Sequence, residues 1–416
     1  MSRGRLRRHA GGASEDSLRR YTVVKTWFQD DYGLFARFDS LLCRALAAHP
    51  RVDKVIHLAP PLPAHELRRR GSDGYWEANL DRLIARATGD GFDDAGVWLY
   101  TAPVGETLSG AAAARSAEVV RAQAVDGSWL VVVEMLTAHP FPAAVVDRLP
   151  DAIRVAVLED DHRIGREDAE EVTSRFRDTL SKAAFGMLSS PALLEEFATC
   201  SQRLSLIPRV TEPALYASAA PSAELADVAR PIAMYTGWLR DRIDYGLLRE
   251  VVDALPEVTF VFAGGGHEVA QRELAGRANV LAIGPRPGAG VPSLLAAADV
   301  LLVPHVIDAT TEGMTPDKVI HYLASGAPII STPVAGVRTM PAGLVDVHAD
   351  ADGFVAAIRT HLELPEELRL AGRALRRGAV SGLTLEALAD WFVASLDASL
   401  DSTPAPPTPT FTPPTP

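Results

Sequence analysis

Lysine is scarce in this sequence: Lys25, Lys54, Lys182 and Lys318 are the four lysines among its 41 basic residues. Lys318 stands in PHVIDATTEGMTPDKVIHYLASGAPIISTPV (304–334), a stretch punctuated like a helix entered from a strand. Thr315 suits an N-cap, Pro316 the first helical position, Asp317 the first turn and Gly326 a left-handed stop. The spacing predicts a helix from Pro316 to about Ser325. A helix start carries free N–H groups and partial positive charge, a setting that favours a diphosphate. Lys318 would add a full charge, and His321, three residues on, shares its face. The alternative is a solvated first-turn lysine, against which the neighbouring Glu312 and Gly313 weigh.

A second loop, TGWLRDRIDYG (236–246), offers Arg240 and Arg242. A guanidinium's planar fork suits bidentate phosphate binding. Arg242 is the preferred candidate, its alternative being a local pair with Asp241 or Asp244. The turns AGGGHE (263–268) and IGPRPG (283–288) allow close backbone approach, and the second has backbone groups able to read a base edge. Triple glycine after a strand is also an ordinary turn.

These loops need a scaffold, and the apolar pattern supplies one. YTVVKTWF (21–28), KVIHLAP (54–60), GVWLYTA (96–102), WLVVVEML (129–136), RVAVLED (154–160), GMLSS (186–190) and LSLIP (204–208) are short apolar runs without alternation. Such runs mark parallel strands covered on both faces. Helical patterns fill the gaps, as in 34–49, 75–87 and 166–183, and parallel strands require such crossovers. After a proline-rich connection at 208–221 the pattern restarts with PIAMYTGWL (231–239), VTFVFAG (258–264), NVLAIG (279–284), DVLLVP (299–304) and PIISTP (328–333), and a short strand is expected at LVDVHA (344–349).

The expected architecture is α/β: two Rossmann-like, doubly wound parallel-sheet domains facing a cleft. Residues 20–210 would form the first domain and 211–382 the second. Ligands in such sheets bind outside the carboxyl ends of the strands. The basic start, 1–19, and the Pro/Thr tail, 402–416, hold too little apolar surface to offset ordering entropy and read as disordered.

At 416 residues the chain favours two cores. With 47% hydrophobic and 23% charged residues, it has the composition of an ordinary globular protein. A net charge of −12 argues against nucleic-acid binding, which needs a basic face. Cys43 and Cys200 lack disulfide or zinc spacing and fit a reducing cytoplasm. No apolar run is long enough to span a membrane. Arg3, Arg5, Arg7 and Arg8 read as a solubilising tail, with peripheral contact to an anionic membrane surface as the alternative.

The second half resembles the donor-binding domain of the family 4-like, retaining GT-B glycosyltransferases. That family shows, in order, G-x-L-x-x-R-x-D, NV-x-x-x-G, ADV-x-x-x-P and P-x-K-x-x-E-Y-L-A-x-G-x-P-V-x-x-T. Residues 237–244, 279–284, 298–304 and 316–332 follow that order and spacing. The resemblance implies a nucleotide-sugar partner, with Gly237 in the first loop, Lys318 and Arg242 on the diphosphate, and Gly284 to Arg286 at the base. Glu312 would sit near the transferred sugar, and the helix 383–401 would cross back to the first domain. Where the family's second glutamate contacts the ribose, this chain has His321, nine rather than eight residues after Glu312. An imidazole can also donate to or accept from a hydroxyl. No metal and no further cofactor is implied.

The first half resembles the family in topology more than in motif: FQDDYGLF (28–35) stands where a glycine pair often follows the first strand. His139 in MLTAHPF and Asp161 in LEDDHR follow the fourth and fifth strands. Glycosyl transfer needs positive groups on the departing diphosphate and groups that orient the acceptor hydroxyl. His139 is the candidate for the latter, its alternative being a cap on the helix begun by Pro140. Asp161 is read as orienting side chains or contacting an acceptor. The leading expectation is a glycosyltransferase acting on a glycan, lipid-linked or small-molecule acceptor. The alternatives are a binding protein that keeps the fold without turnover, and a nucleotide-sugar epimerase.

Overall fold

The computed structural model describes residues 18–26, 38–59, 91–101, 110–286, 290–308, 311 and 314–411. Eight strands make the first sheet: β1 (Tyr21–Thr26), β2 (Val52–Ala59), β3 (Phe92–Asp94), β4 (Val97–Thr101), β5 (Trp129–Met135), β6 (Ile153–Leu158), β7 (Phe185–Leu188) and β8 (Leu204–Leu206). Their order is β3-β4-β2-β1-β5-β6-β7-β8. All neighbours are parallel except the edge pair β3–β4, which is antiparallel. The seven expected runs are all present as strands. The three-residue β3 was not foreseen, being too short for a period to show.

Six strands make the second sheet: β9 (Ile232–Thr236), β10 (Thr259–Ala263), β11 (Val280–Ile283), β12 (Val300–Val303), β13 (Ile329–Ser331) and β14 (Asp346–Val347). The order β11-β10-β9-β12-β13-β14, all parallel, is the doubly wound 3-2-1-4-5-6 arrangement.

Absence of alternation in the strands follows from cover on both faces. In β1 every residue is buried, Val23 facing one core and Val24 another. Val23, Val55, Val131 and Val155 pack against helices Phe38–Ala47 and Leu385–Leu400, whereas Val24, Ile56 and Val132 meet helices Gly110–Gln123 and Phe141–Val146. The second sheet is sandwiched likewise, with Met234, Val261 and Leu301 on one face and Ala233, Phe260 and Leu302 on the other.

Helix Leu385–Leu400 returns to the first domain. Thr384 caps it by accepting from the Ala387 N–H, and Leu388, Phe392 and Leu396 are buried in the first core. Each such side chain contributes about 1.5–3 kcal/mol on burial. Asp397 fixes the docking, accepting from the Tyr21 hydroxyl at 2.6 Å and from Arg51 at 2.6 and 3.0 Å. Beyond it the Pro/Thr segment departs from expectation: it is without regular structure as far as Phe411, which packs against the second core. Prolines lose little freedom on ordering, so one aromatic anchor suffices. The expected helix at 75–87 and the segment 28–35 lie outside the described residues.

Candidate functional site

In the second sheet the strand order reverses between β9 and β12, so the crevice beyond Thr236 and Val303 is where a ligand is expected. Gly237 follows β9, and its backbone runs close to the lysine: a Cβ there would lie 3.0 Å from Lys318 Cε and 3.3 Å from the Tyr235 hydroxyl. Gly237 has φ +134°, which a side chain would strain. Gly264, after β10, packs backbone on backbone, since a Cβ would lie 1.7 Å from the Gly237 carbonyl oxygen. The glycine turn after β10 therefore closes on the loop after β9.

The helix bearing the lysine runs Lys318–Ser325 and stops at Gly326, φ +85°. Its start differs from the expected Pro316. Thr315 makes no cap and instead donates to the Ser189 carbonyl of the first domain at 3.5 Å. Val319 and Ile320 donate three residues back, to Pro316 and Asp317, giving a tightened first turn. Asp317 is drawn outward by an ion pair with Arg209 of the interdomain connection.

Lys318 reaches into the crevice, donating to Nε2 of His305 at 3.2 Å, with its nitrogen 4.8 Å from the Tyr235 ring centre. Burial first, and then the charge of Arg242, pushes the amine down to about 7. His305, directly after β12, is 1% exposed. Burial, followed by Lys318 and Arg242, holds its imidazole well below the ordinary histidine range, so it stands neutral and accepts. Tyr235 donates to the Trp238 carbonyl at 3.0 Å. Tyr322, on the lysine's helix, accepts from the Thr236 N–H at 2.7 Å, fixing helix to strand end.

Arg242 lies beside this pair, and its nearest ion-pair partner is Asp160 of the first domain, at 3.8 Å. Neither local aspartate claims it by hydrogen bonding: Asp244 instead accepts from Leu247 N–H, capping helix Tyr245–Ala254. A contact this long between partly exposed groups is weak, so Arg242 can turn to an anion. The crevice thus gathers an amine and a guanidinium, with no tightly bound carboxylate on either among the described residues.

Other expected residues lie elsewhere. His321 is buried, its Nδ1 2.9 Å from the Thr211 hydroxyl and its ring stacked on Tyr216 at 5.3 Å, so it faces the connection between domains. Arg286 forms a two-pronged pair with Glu224 and donates to the carbonyls of Gly284 and Pro285 at 3.0 and 3.2 Å. Its own side chain therefore braces the turn expected at the base. His139 accepts from the Phe141 N–H at 3.1 Å, the capping alternative, and remains exposed. Asp161 is gripped by Arg163 at 2.7 and 2.8 Å, and Arg163 also pairs with Glu196. That local clamp, invisible as a pattern in sequence, directs the carboxylate to its own loop. Glu312 lies outside the described residues. His305 and Tyr322 were missed; the available signal for His305 was its place directly after the strand DVLLVP, at the switch point.

Comparison with known proteins agrees with this topology. Residues 230–363 match the family model for glycosyl transferases group 1. The protein TuaH of Bacillus subtilis (strain 168), assigned by name only to teichuronic acid biosynthesis as a glycosyltransferase, is 24% identical over 129 residues, 30% of this chain. The match spans 32% of that relative's length. Sucrose-phosphate synthase from Thermosynechococcus elongatus superposes with a TM-score of 0.61 at 17% identity, covering 92% of this chain and 100% of the other. An alpha,alpha-trehalose-phosphate synthase from Burkholderia xenovorans, in complex with glucose-6-phosphate, gives 0.63 at 13%, covering 91% and 100%. Anabaena HepE, in complex with UDP and glucose, gives 0.60 at 14%, covering 90% and 99%.

The fold is therefore the two-sheet GT-B architecture. Within it, residues 230–363 are the stretch that matches glycosyl transferases group 1. Among the described residues, no helix is long and apolar enough to cross a membrane.

Proposed function

We propose that the protein is a glycosyltransferase that moves a sugar, with retention, from a nucleotide-diphosphate donor to a glycan, lipid-linked or small-molecule acceptor. The observation that carries this reading is the convergence of Gly237, Arg242 and Lys318 on the switch point of a doubly wound sheet. Charge on the departing diphosphate is the part of the transition state that fixed cations stabilise best. Lys318 and Arg242 supply it, and the close backbone at Gly237 lets the phosphates approach. HepE's bound UDP and the glucose-6-phosphate of the trehalose-phosphate synthase support a nucleotide-sugar donor and a hydroxyl-bearing acceptor. TuaH's name supports a cell-envelope glycan as the acceptor class. Glu312 is assigned to the transferred sugar, the backbone of Gly284 to Arg286 to the base, His139 to the acceptor, and Asp161 to orienting Arg163 on the acceptor side. The protein works in the cytoplasm, with its basic start against the inner membrane surface when the acceptor is lipid-linked.

A second reading, a binding protein without turnover, is favoured by one observation: His321, at the ribose-contacting position of the resembling family, is engaged by Thr211 and Tyr216. Incubation with a panel of labelled nucleotide sugars and candidate acceptors separates the two. Release of nucleoside diphosphate with a sugar-bearing acceptor product supports transfer. Tight binding with neither product identifies the binder.

A further inference from the structure

We infer that His305 is a positioning residue for the donor diphosphate: its Nε2 holds the Lys318 amine at the switch point, and diphosphate binding carries a proton into the site. The inference rests on the donor reading above and goes beyond it. It stands on the geometry around one buried ring. His305 is 1% exposed, its backbone carbonyl accepts from the Thr332 hydroxyl at 2.7 Å, and it forms an isolated bridge with Ile243. The ring therefore cannot swing out with the lysine. Nε2 accepts from Lys318 at 3.2 Å, which places the ring's own proton on Nδ1. Nδ1 has no hydrogen-bond partner among the described residues. Burying a polar atom unpaired is costly, and here the ring is held in one orientation with its acceptor toward the crevice.

Among the described residues, the charged and titratable groups facing the amine come from three elements. From β9 and its loop come Tyr235 and Arg242, whose carboxylate neighbour Asp160 sits across the cleft, and Tyr322 of the lysine's own helix bonds the end of β9. From β12 comes His305. From the lysine's own helix come Asp317, taken by Arg209, and His321, turned to Thr211. The amine thus has a neutral acceptor, a cation and an aromatic face around it and, among the described residues, no carboxylate bonded to it. Such surroundings disfavour the ammonium, in line with its position near 7. A diphosphate reverses this by placing negative charge in contact, so the amine binds a proton as the ligand arrives. The proton comes from solvent; no bond in the donor is made or broken.

Titration calorimetry with uridine, guanosine and adenosine diphosphates, run at pH 8 in buffers of different ionisation enthalpy, tests this. At that pH the free nucleotide is fully ionised, so uptake reports the protein. For the diphosphate that binds, the wild-type protein is expected to take up roughly half a proton or more per site. Lys318→Arg, always charged, should still bind but take up none. His305→Leu should weaken binding tenfold or more, while His305→Gln, which keeps an acceptor, should stay within about threefold. Wild-type binding without proton uptake would overturn the inference and leave the donor reading intact, as would a folded His305→Leu protein with wild-type affinity and uptake. If His305→Leu does not fold, the contrast between wild type and Lys318→Arg decides alone. Failure of all three diphosphates to bind wild type overturns the donor reading and this inference with it.

Discussion

Nδ1 of His321 lies 2.9 Å from the Thr211 hydroxyl, and Thr211 in turn donates its N–H to the Leu383 carbonyl at 2.9 Å. The two chain crossings between domains thus meet at one threonine, and the helix carrying Lys318 is tied to it through His321. Replacing His321 by the glutamate of the resembling family would bury a carboxylate against the Tyr216 ring and the Thr211 hydroxyl. His321→Glu is expected to lower stability by about 1–3 kcal/mol, seen as a lower thermal midpoint. His321→Gln, which keeps a hydrogen bond, should lose less.

Lys318→Ala and Arg242→Ala should each weaken nucleoside diphosphate binding by about 1–3 kcal/mol, the scale of a charge-assisted hydrogen bond. The check is calorimetric affinity alongside an unchanged thermal midpoint. Asp160→Ala, which frees Arg242 from its 3.8 Å partner, should leave affinity equal or slightly tighter.

Gly264→Ala should be far more damaging than an ordinary loop change. Its Cβ would lie 1.7 Å from the Gly237 carbonyl oxygen, at φ +155°. Backbone would have to move apart, so a loss of about 3 kcal/mol or more is expected, together with loss of diphosphate binding. Denaturant titration and calorimetry read the two effects. Gly276→Ala, at φ +81° with nothing within 4 Å, isolates the conformational cost alone and should cost about 1 kcal/mol.

Acid should loosen the returning helix first. Burial opposes ionisation of Asp397, but hydrogen bonds from Arg51 and Tyr21 outweigh it and hold the carboxyl below its ordinary range. A depressed folded-state value stabilises the protein at pH above the unfolded value, near 4, and that stabilisation is lost as pH falls through the folded value. Asp397→Asn should remove this acid-sensitive share and cost about 1–3 kcal/mol at neutral pH. Thermal midpoints between pH 3 and 7 measure it; parallel curves for variant and wild type would contradict the account.

The strands were legible because burial on both faces leaves continuous apolar runs such as VVV (131–133) and VAVL (155–158), and the helix bounds around Lys318, though not the expected cap, were legible to within two residues. The exact start was not, because Arg209, more than a hundred positions away, draws Asp317 outward. The same limit hid other features. Asp161 is claimed by Arg163 two residues on, and His321 by Thr211 and Tyr216, so neither pairing follows from a periodic pattern. His305 is a lone histidine after a strand, and only the strand order β9-β12 reveals that it stands at the switch point. Phe411 shows the converse: composition marked its segment as structureless, yet one ring found a core to join.

The central claim is that Arg242 and Lys318 form a diphosphate site. Calorimetric titration of the wild type and of the double variant Arg242→Ala, Lys318→Ala with uridine, guanosine and adenosine diphosphates tests it most directly. The account predicts that the wild type binds at least one of them and that the folded double variant loses that binding by a hundredfold or more. Equal affinity in the two proteins, or no binding by the wild type, would contradict it.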